Sequence, residues 1–505
     1  MSEFSTNARA ARAARATAAP ARALAVLTLV MATLFAPSCA DAGRDDPEQQ
    51  KQYTLKYVNQ FAYNVMAVYY LWVDEISKGL QSWKNDDDPI LKVQEVRYKD
   101  ADGNDIDRWT KVTDDYDSFV KSVDGVSTTF GYEFSLFYTS EAKDYVAAVV
   151  TFVYDNTPAD IAGLKRGDII VKVDGSAIPT ANYYDIVTGK LINASHCDIG
   201  LNDGTEVSMD AVQMYCDPVH TWKVFDCGDK KVGYLHYSAF TRDSCQDLVD
   251  VFAWFKQQGV SEMILDLRYN GGGYVTTEEV LASMLAPEAN VAAGDVFMTE
   301  VNNYILTEAW GSEPTYFSTH FNIDKKPVIT TDSHLDLTKI YAIMTGGSAS
   351  ASEALICGLK PYIDIEIIGQ KSYGKYCTGL IYPASKWYSD VKDKLSSAEY
   401  CNGVKYSDNW GIYVMIGRYA DRDGNTPCMP DGFTPDHVVA DAPLDGHQLG
   451  DPEETMLKAA LTLAGYPYPD VQPASAPSKT KPILEEEGPA LPESETFGVF
   501  YTEII

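Results

Sequence analysis

Apolar and polar positions follow three rhythms along this chain. Between residues 53 and 76, Leu55, Val58, Phe61, Val65, Val68 and Trp72 recur at three- and four-residue steps, which predicts one long helix with a buried face. The aromatic residues on that face read as core. From residue 125 to 215 the rhythm shortens to strands separated by turns. Within that stretch, residues 147–153 predict a strand and residues 157–164 a short helix that opens at Pro158 and closes near Gly163. Residues 165–168 predict a turn, and 169–173 a second strand. From 220 to 450, strand and helix patterns alternate, which implies a largely parallel α/β core. Asp451-Pro452-Glu453-Glu454 carries helix-start signals and Gly465 a stop. Seven prolines between Pro467 and Pro492 predict an extended linker or a disordered tail.

The first residues read as an address. Arg9, Arg12, Arg15 and Arg22 stand against one acid, Glu3, and an apolar stretch over residues 23–36 follows. Basic first, apolar next and small residues last is the secretory pattern. The stretch ends Ala36-Pro37-Ser38-Cys39, which resembles a bacterial lipoprotein cleavage site. That resemblance implies cleavage before Cys39 and lipid on its thiol. The protein would then lie in the bacterial cell envelope, anchored by lipid and facing the periplasm or the exterior. Ordinary cleavage near Ala40 is the alternative. The chain thus divides into a signal peptide (1–38), a tether and helical segment (39–124), a strand-rich domain (125–215), an α/β core (216–466) and a Pro-rich tail (467–505).

Charge narrows the partners. Of 505 residues, 41 are Lys or Arg and 72 are Asp or Glu, a net charge of −31. Phosphate binding needs a positive field, so nucleic acid is excluded as a partner, and contact with a membrane is expected only through a lipid anchor. No apolar run reaches the ~18–20 residues of a membrane span. Eight cysteines remain beyond Cys39, and their pairing is open from sequence. No spacing suggests a zinc site, and neither a metal nor a cofactor is expected.

Three strand patterns in the core each run into an unusual loop. Residues 263–268 lead into Tyr269-Asn270-Gly271-Gly272-Gly273. Residues 340–344 lead into Thr345-Gly346-Gly347-Ser348-Ala349-Ser350-Ala351-Ser352-Glu353. Residues 363–368 lead into Gly369-Gln370-Lys371-Ser372-Tyr373-Gly374-Lys375. In a parallel sheet such loops share one edge, where sites collect. A Ser at a helix start can use the dipole and free N–H groups to stabilise an oxyanion. A desolvated Lys can serve as its base. Each piece also has a bland reading: Ser350 with Glu353 as a capping box, Lys375 as a solvated turn residue, the glycines as a tight turn. Their convergence on one edge favours catalysis.

The run Ser348-Ala349-Ser350-Ala351-Ser352-Glu353, with Gly374-Lys375, resembles the C-terminal processing (tail-specific) protease family of serine peptidases. The segment Asp266-Leu267-Arg268-Tyr269-Asn270-Gly271-Gly272-Gly273 matches that family's other signature. The resemblance implies a crotonase- or ClpP-like α/β catalytic core with an inserted or preceding PDZ domain, here behind an N-terminal helical segment. It implies Ser350 as nucleophile, Lys375 as base, and an oxyanion hole from Ala351, Gly271 and Gly272. It also implies polypeptide substrates, in the form of unfolded or C-terminally tagged envelope proteins. Residues 147–175 resemble the PDZ domain of envelope proteases, in which Phe130, Gly131, Tyr132, Glu133 and Phe134 stand where a peptide's C-terminal carboxylate is captured. A mere packing module is the other reading of that domain.

Position 379 is Gly where many family members carry a Gln that orients the Lys, so the third member of the site stays open. His236, His320 and His437 could supply a Ser-His arrangement, and spacing selects none of them. Tyr373, Tyr376 and residues 365–368 are expected to desolvate Lys375, and Glu353 to face its own helix backbone. Two rivals complete the reading. Residues 369–375 fit Gly-x4-Gly-Lys, but Tyr376 stands where a nucleotide site needs Ser or Thr. A non-catalytic peptide- or glycan-binding envelope lipoprotein on the same fold is the second.

Overall fold

The computed structural model describes residues 46–311, 314–468, 486–487 and 500–502. The signal peptide over 1–38, Cys39 and most of the Pro-rich tail lie outside the described residues.

The N-terminal segment is built onto the core. Helix α1 (Pro47–Tyr69) starts behind Asp46, whose carboxylate accepts the Glu48 N–H, with Pro at the first helical position. It stops short of the 53–76 pattern because Tyr70 turns extended. The Tyr70 hydroxyl then donates to Asp107 (2.8 Å), and the Leu71 N–H donates to the Met415 carbonyl (2.8 Å). The apolar face of α1 packs with Tyr382, Trp387, Ile412 and Val414 in one buried cluster. Strand β1 (Lys111–Thr113) pairs antiparallel with residues 411–413 of the core. The segment before the strand-rich domain and the core after it therefore share a sheet, which makes the strand-rich domain an insertion.

That insertion is an antiparallel sheet. Strands β2 (Tyr132–Tyr138), β3 (Tyr145–Val153) and β4 (Ile169–Val173) are joined by three further strands, Ser176–Pro179, His196–Leu201 and Glu206–Asp210. Their inward residues, among them Phe134, Val150, Ile170 and Ile178, form a separate core. The helix expected over 157–164 is shorter, Pro158–Ile161, and is capped by Thr157, whose hydroxyl oxygen accepts the Asp160 N–H (3.2 Å).

The core has two sheets. In the first, β5 (Val219–Cys227) is antiparallel to β6 (Lys230–Tyr237), and β6, β7 (Val260–Asp266) and their remaining neighbours run parallel. After β8 (Gly273–Tyr274), the chain contributes β9 (Lys339–Met344), helix α2 (Ala351–Leu359) and β10 (Asp364–Gly369). It goes on to β11 (Cys377–Pro383), β12 (Gly411–Ala420) and β13 (His437–Val438). The first sheet has the order β5-β6-β7-β9-β10-β13. The second is centred on the antiparallel pair β11 and β12, so the expected parallel character belongs mainly to the first sheet. Every residue of α2 is buried, as a helix packed on all sides requires. Its Gly358 allows the close approach: a Cβ there would lie 2.4 Å from Phe297 Cε2.

Helix α3 (Thr455–Leu463) begins later than the signals at 451–454 suggest, because Glu454 itself is the cap and accepts the Leu457 N–H (2.9 Å). Beyond residue 468 the tail supplies two strands where proline content predicts an extended linker or a disordered tail. Strand β14 (Glu486–Glu487) pairs antiparallel with β2, and β15 (Phe500–Thr502) lies between β8 and β11. Cys197, Cys216, Cys227, Cys245, Cys357, Cys377, Cys401 and Cys428 are all free thiols.

Candidate active site

Strands β7, β9 and β10 are parallel neighbours, so the three loops leave the sheet from one edge. Serine side chains fasten them together. The Ser348 hydroxyl donates to the Leu267 carbonyl (2.8 Å), and the Ser352 hydroxyl to the Asn270 carbonyl (3.0 Å). The Ala349 N–H also donates to Asn270 O (3.0 Å), and the Tyr373 N–H to Ser348 O (3.1 Å). Two of the three serines in the run are thus structural ties between loops, and the middle one faces a different partner.

That partner is Lys375. Its Nζ lies 3.1 Å from Ser350 Oγ and 2.8 Å from the Tyr413 hydroxyl, and Ser350 and Lys375 are both 0% exposed. Ser350 sits at the N-cap of α2 with φ +62° and ψ −112°, a backbone conformation that costs about 1–3 kcal/mol for a non-glycine residue and persists only where neighbours impose it. Burial pulls the Lys375 ammonium down to about 7, while Cys377, Asp107 and Glu353 act in the opposite sense. The amine lies 5.7 Å from the centre of the Trp109 ring and 5.2 Å from that of Tyr413. Desolvation thus includes two aromatic residues from distant parts of the chain, while Tyr373 meets Trp109 at a tilt and Tyr376 meets it edge-on.

Glu353 bolts the base's loop to the nucleophile's helix. Its carboxylate accepts the Ser350 N–H (3.1 Å), the Lys375 N–H (2.8 Å), the Gly374 N–H (2.7 Å) and the Ser372 hydroxyl (2.5 Å). Burial pushes its carboxyl up to about 7, and these four hydrogen bonds oppose the shift. The carboxylate takes the backbone N–H of Lys375 rather than pairing with its amine.

The glycine loop is shaped by Asn270, which is fully buried. Its amide donates to the Tyr237 carbonyl (2.9 Å), and its side-chain oxygen accepts the Gly272 N–H (2.9 Å). Of the three expected oxyanion donors, Gly272 is therefore already engaged, while Ala351 follows Ser350 as the first residue of α2. Beneath the loop lies a buried ion cluster. Arg268 donates to Asp266 Oδ2 and Glu454 Oε1, each at 2.7 Å. Arg166, from the turn of the inserted domain, donates to Asp441 Oδ1 (2.6 Å) and to the Tyr269 hydroxyl (2.8 Å), and Tyr269 donates to Asp441. Nothing in the sequence pattern pairs Arg166 with these residues. The inserted domain thus reaches the glycine loop through a charged contact.

The segment Phe130–Phe134 is more enclosed than a peptide-end cradle. The Phe130 ring is 1% exposed and sits in the domain core with Tyr132 and Phe134, while Glu133 lies at the surface. Gly131 has φ +86°, and a Cβ there would lie 2.2 Å from Thr157 Cβ. Its N–H donates to the Thr129 hydroxyl (3.0 Å), and the Phe130 carbonyl accepts the Ala159 N–H (2.9 Å). Apart from Glu133, the side chains of this segment are core.

The remaining candidates fall elsewhere. His437 is paired with Glu366 (2.8 Å), His320 contacts Thr319 at the surface (2.9 Å), and His236 is buried among Phe152, His220 and Tyr269, where burial lowers its pKa to about 3. Residues 370–376 lead into strand β11 rather than a helix, and Lys375 is enclosed beside Ser350, so the phosphate-loop reading fails. Position 379 is occupied differently from expectation. A Cβ on Gly379 would lie 2.2 Å from Tyr413 Cε2, so the Tyr413 ring fills the room that a side chain at 379 would need. Tyr413 is the site residue that sequence reasoning missed, since it lies in a strand whose pattern reads as ordinary core.

Residues 231–439 match the sequence profile of Peptidase family S41, and residues 149–188 match that of a PDZ domain. The chain is 25% identical over 287 residues to the chloroplastic carboxyl-terminal-processing peptidase 1 of Arabidopsis thaliana, covering 54% of this chain and 48% of that protein. It is 26% identical over 246 residues to the carboxy-terminal processing protease CtpB of Bacillus subtilis, covering 45% and 44%. The chain spans about half the length of these curated relatives. A solved structure from Bacteroides fragilis, assigned to the S41 proteases, shares the fold with a TM-score of 0.61 at 20% identity over 84% of this chain and 98% of that one.

Proposed function

We propose, for a chain that belongs to peptidase family S41 and carries an inserted PDZ domain, that it is an exported serine endopeptidase working through Ser350 and Lys375. The observation that carries this reading is the 3.1 Å approach of Lys375 Nζ to Ser350 Oγ with both side chains shut off from water. An ammonium with an ordinary pKa near ~10.4 is almost wholly charged at neutral pH and takes no proton. Held near 7 by burial, the amine is neutral often enough to act as a general base.

The steps follow from that geometry. Lys375 takes the Ser350 hydroxyl proton as Oγ bonds to the substrate carbonyl carbon. The carbonyl oxygen gains the electron pair and is met by the N–H groups of Ala351 and Gly271, the first of them at the positive end of α2. Lys375 then gives its proton to the leaving amine as the C–N bond breaks, which leaves an ester on Ser350. Water, deprotonated in turn by Lys375, attacks the ester, and the proton returns to Ser350 as the acid product departs. Tyr413 accepts a hydrogen bond from the amine throughout, which keeps the nitrogen lone pair on Ser350.

The substrate class is unfolded or C-terminally tagged polypeptide, with the PDZ domain taking an extended chain along β2 by strand addition. Lipid attached at Cys39 would hold this acidic protein at the membrane, since acyl chains and not charge supply the anchoring. Turnover of an unfolded polypeptide by the wild type, compared with Ser350→Ala, tests the assignment. Equal turnover by the two proteins would overturn it.

A further inference from the structure

Strand β8 follows directly on the Gly271-Gly272 loop, and β11 opens just after Lys375. Residues 500–502 lie between them and run parallel to both: Gly273 faces Phe500, Tyr274 and Gly379 both face Tyr501, and Leu380 faces Thr502. With neighbouring strands ~4.7–4.9 Å apart, β8 and β11 are held about two spacings from each other. The interval is one strand wide and is bounded on both sides by backbone N–H and C=O groups that need partners. Such a slot selects an extended polypeptide through its main chain and is tolerant of side-chain identity.

A second pairing involves the same tail. Residues 486 and 487 lie antiparallel on the edge of β2, with Glu486 facing Tyr138 and Glu487 facing Phe137. This two-residue pairing has the antiparallel sense in which an added peptide strand approaches the Phe130 loop. Two edges suited to an incoming chain, one on the PDZ domain and one beside Ser350 and Lys375, both carry pieces of residues 486–502.

We propose that the slot between β8 and β11 is the binding site for an extended peptide substrate running parallel to both strands, and that residues 500–502 are its resident competitor. The word substrate rests on the peptidase reading, whereas the slot and its occupant rest on the strand pairings. The competitor acts in cis, so its effective concentration is high and an added peptide must displace it.

Tyr501→Pro in the full chain tests this without regard to the tyrosine side chain, because proline cannot donate to a ladder and is excluded from the middle of a sheet. The probe is a fluorescent peptide of residues 496–505, added to Ser350→Ala protein with and without Tyr501→Pro. The slot predicts at least about tenfold tighter binding with Tyr501→Pro. It also predicts faster hydrogen exchange at Gly273 and at residues 379–380 in the unliganded variant, and no binding by a peptide N-methylated at Tyr501. In protein that keeps Ser350, KM for an unfolded substrate should fall with Tyr501→Pro while kcat holds. Equal binding with and without the substitution, or unchanged exchange at both strands, overturns the proposal even if the protein is an active peptidase. Peptide binding in a protein that cleaves nothing keeps the slot and removes the peptidase reading.

Discussion

The Tyr413 hydroxyl stands 2.8 Å from Lys375 Nζ, and its ring fills the space that any side chain at position 379 would enter. The two positions form a coupled choice: glycine on β11 admits the tyrosine from β12. Tyr413→Phe keeps the ring and removes the acceptor. A net hydrogen bond contributes about 1 kcal/mol, so kcat should fall about fivefold with KM little changed. A glutamine amide can replace the lost acceptor when room is made for it, so Gly379→Gln combined with Tyr413→Ala should recover part of the loss shown by Tyr413→Ala alone. Steady-state kinetics on the four proteins checks both statements.

Lys375 sets a pH dependence whose sign follows from burial. Its pKa in the folded protein is about 7, well below the ~10.4 of an exposed lysine, so kcat/KM should rise through pH 7 and then level. Between those values the unfolded chain holds a proton that the folded protein lacks, and this group's contribution to stability rises with pH across the window. The burial penalty is fully present below pH 7 and is gone above ~10.4. Lys375→Met should therefore raise the melting temperature at pH 7 and have little effect near pH 10, while abolishing turnover. Thermal unfolding at the two pH values measures it.

Glu353 tests whether the base is held by its loop. Glu353→Ala strands four buried donors, Ser350 N–H, Gly374 N–H, Lys375 N–H and the Ser372 hydroxyl. Each unmet buried donor costs about 1–3 kcal/mol, so the protein should be destabilised by several kcal/mol. Glu353→Gln retains the acceptor oxygen and should lose less stability than activity, because the loop loosens around Lys375. Urea unfolding run beside kinetics separates the two effects.

Arg166 joins the PDZ domain to Asp441 and to Tyr269 of the glycine loop. Removing one member of a buried ion pair leaves the other uncompensated, typically at about 3–5 kcal/mol. Arg166→Met should therefore destabilise the chain and also lower kcat, whereas a substitution at exposed Glu133 should do neither.

Part of this site is legible in the sequence because its loops follow adjacent parallel strands. Ser350, Lys375 and the 269–273 loop come from three strand ends, and sheet topology alone brings them to one edge. The rest depends on pairings that local pattern does not encode. Tyr413 meets Lys375 because β12 pairs with β11, and Trp109 reaches it from the segment anchored by β1. The end of α1 at Tyr69 is set by Asp107 and Met415, not by its own apolar period. Glu454 reads as an acid in the first turn of a helix, yet it caps α3 and neutralises Arg268. Strands β14 and β15 are too short to leave a periodic signal within a Pro-rich tail.

Attack by Ser350 requires a neutral Lys375 to take its proton. The most direct test is the rate of cleavage of an unfolded polypeptide by Lys375→Arg, measured beside wild type and Ser350→Ala in proteins shown to be folded. Arginine keeps the positive charge and cannot release its proton, so the account predicts that Lys375→Arg is as inactive as Ser350→Ala at every pH. Turnover near the wild-type rate by Lys375→Arg would contradict the account and require another base.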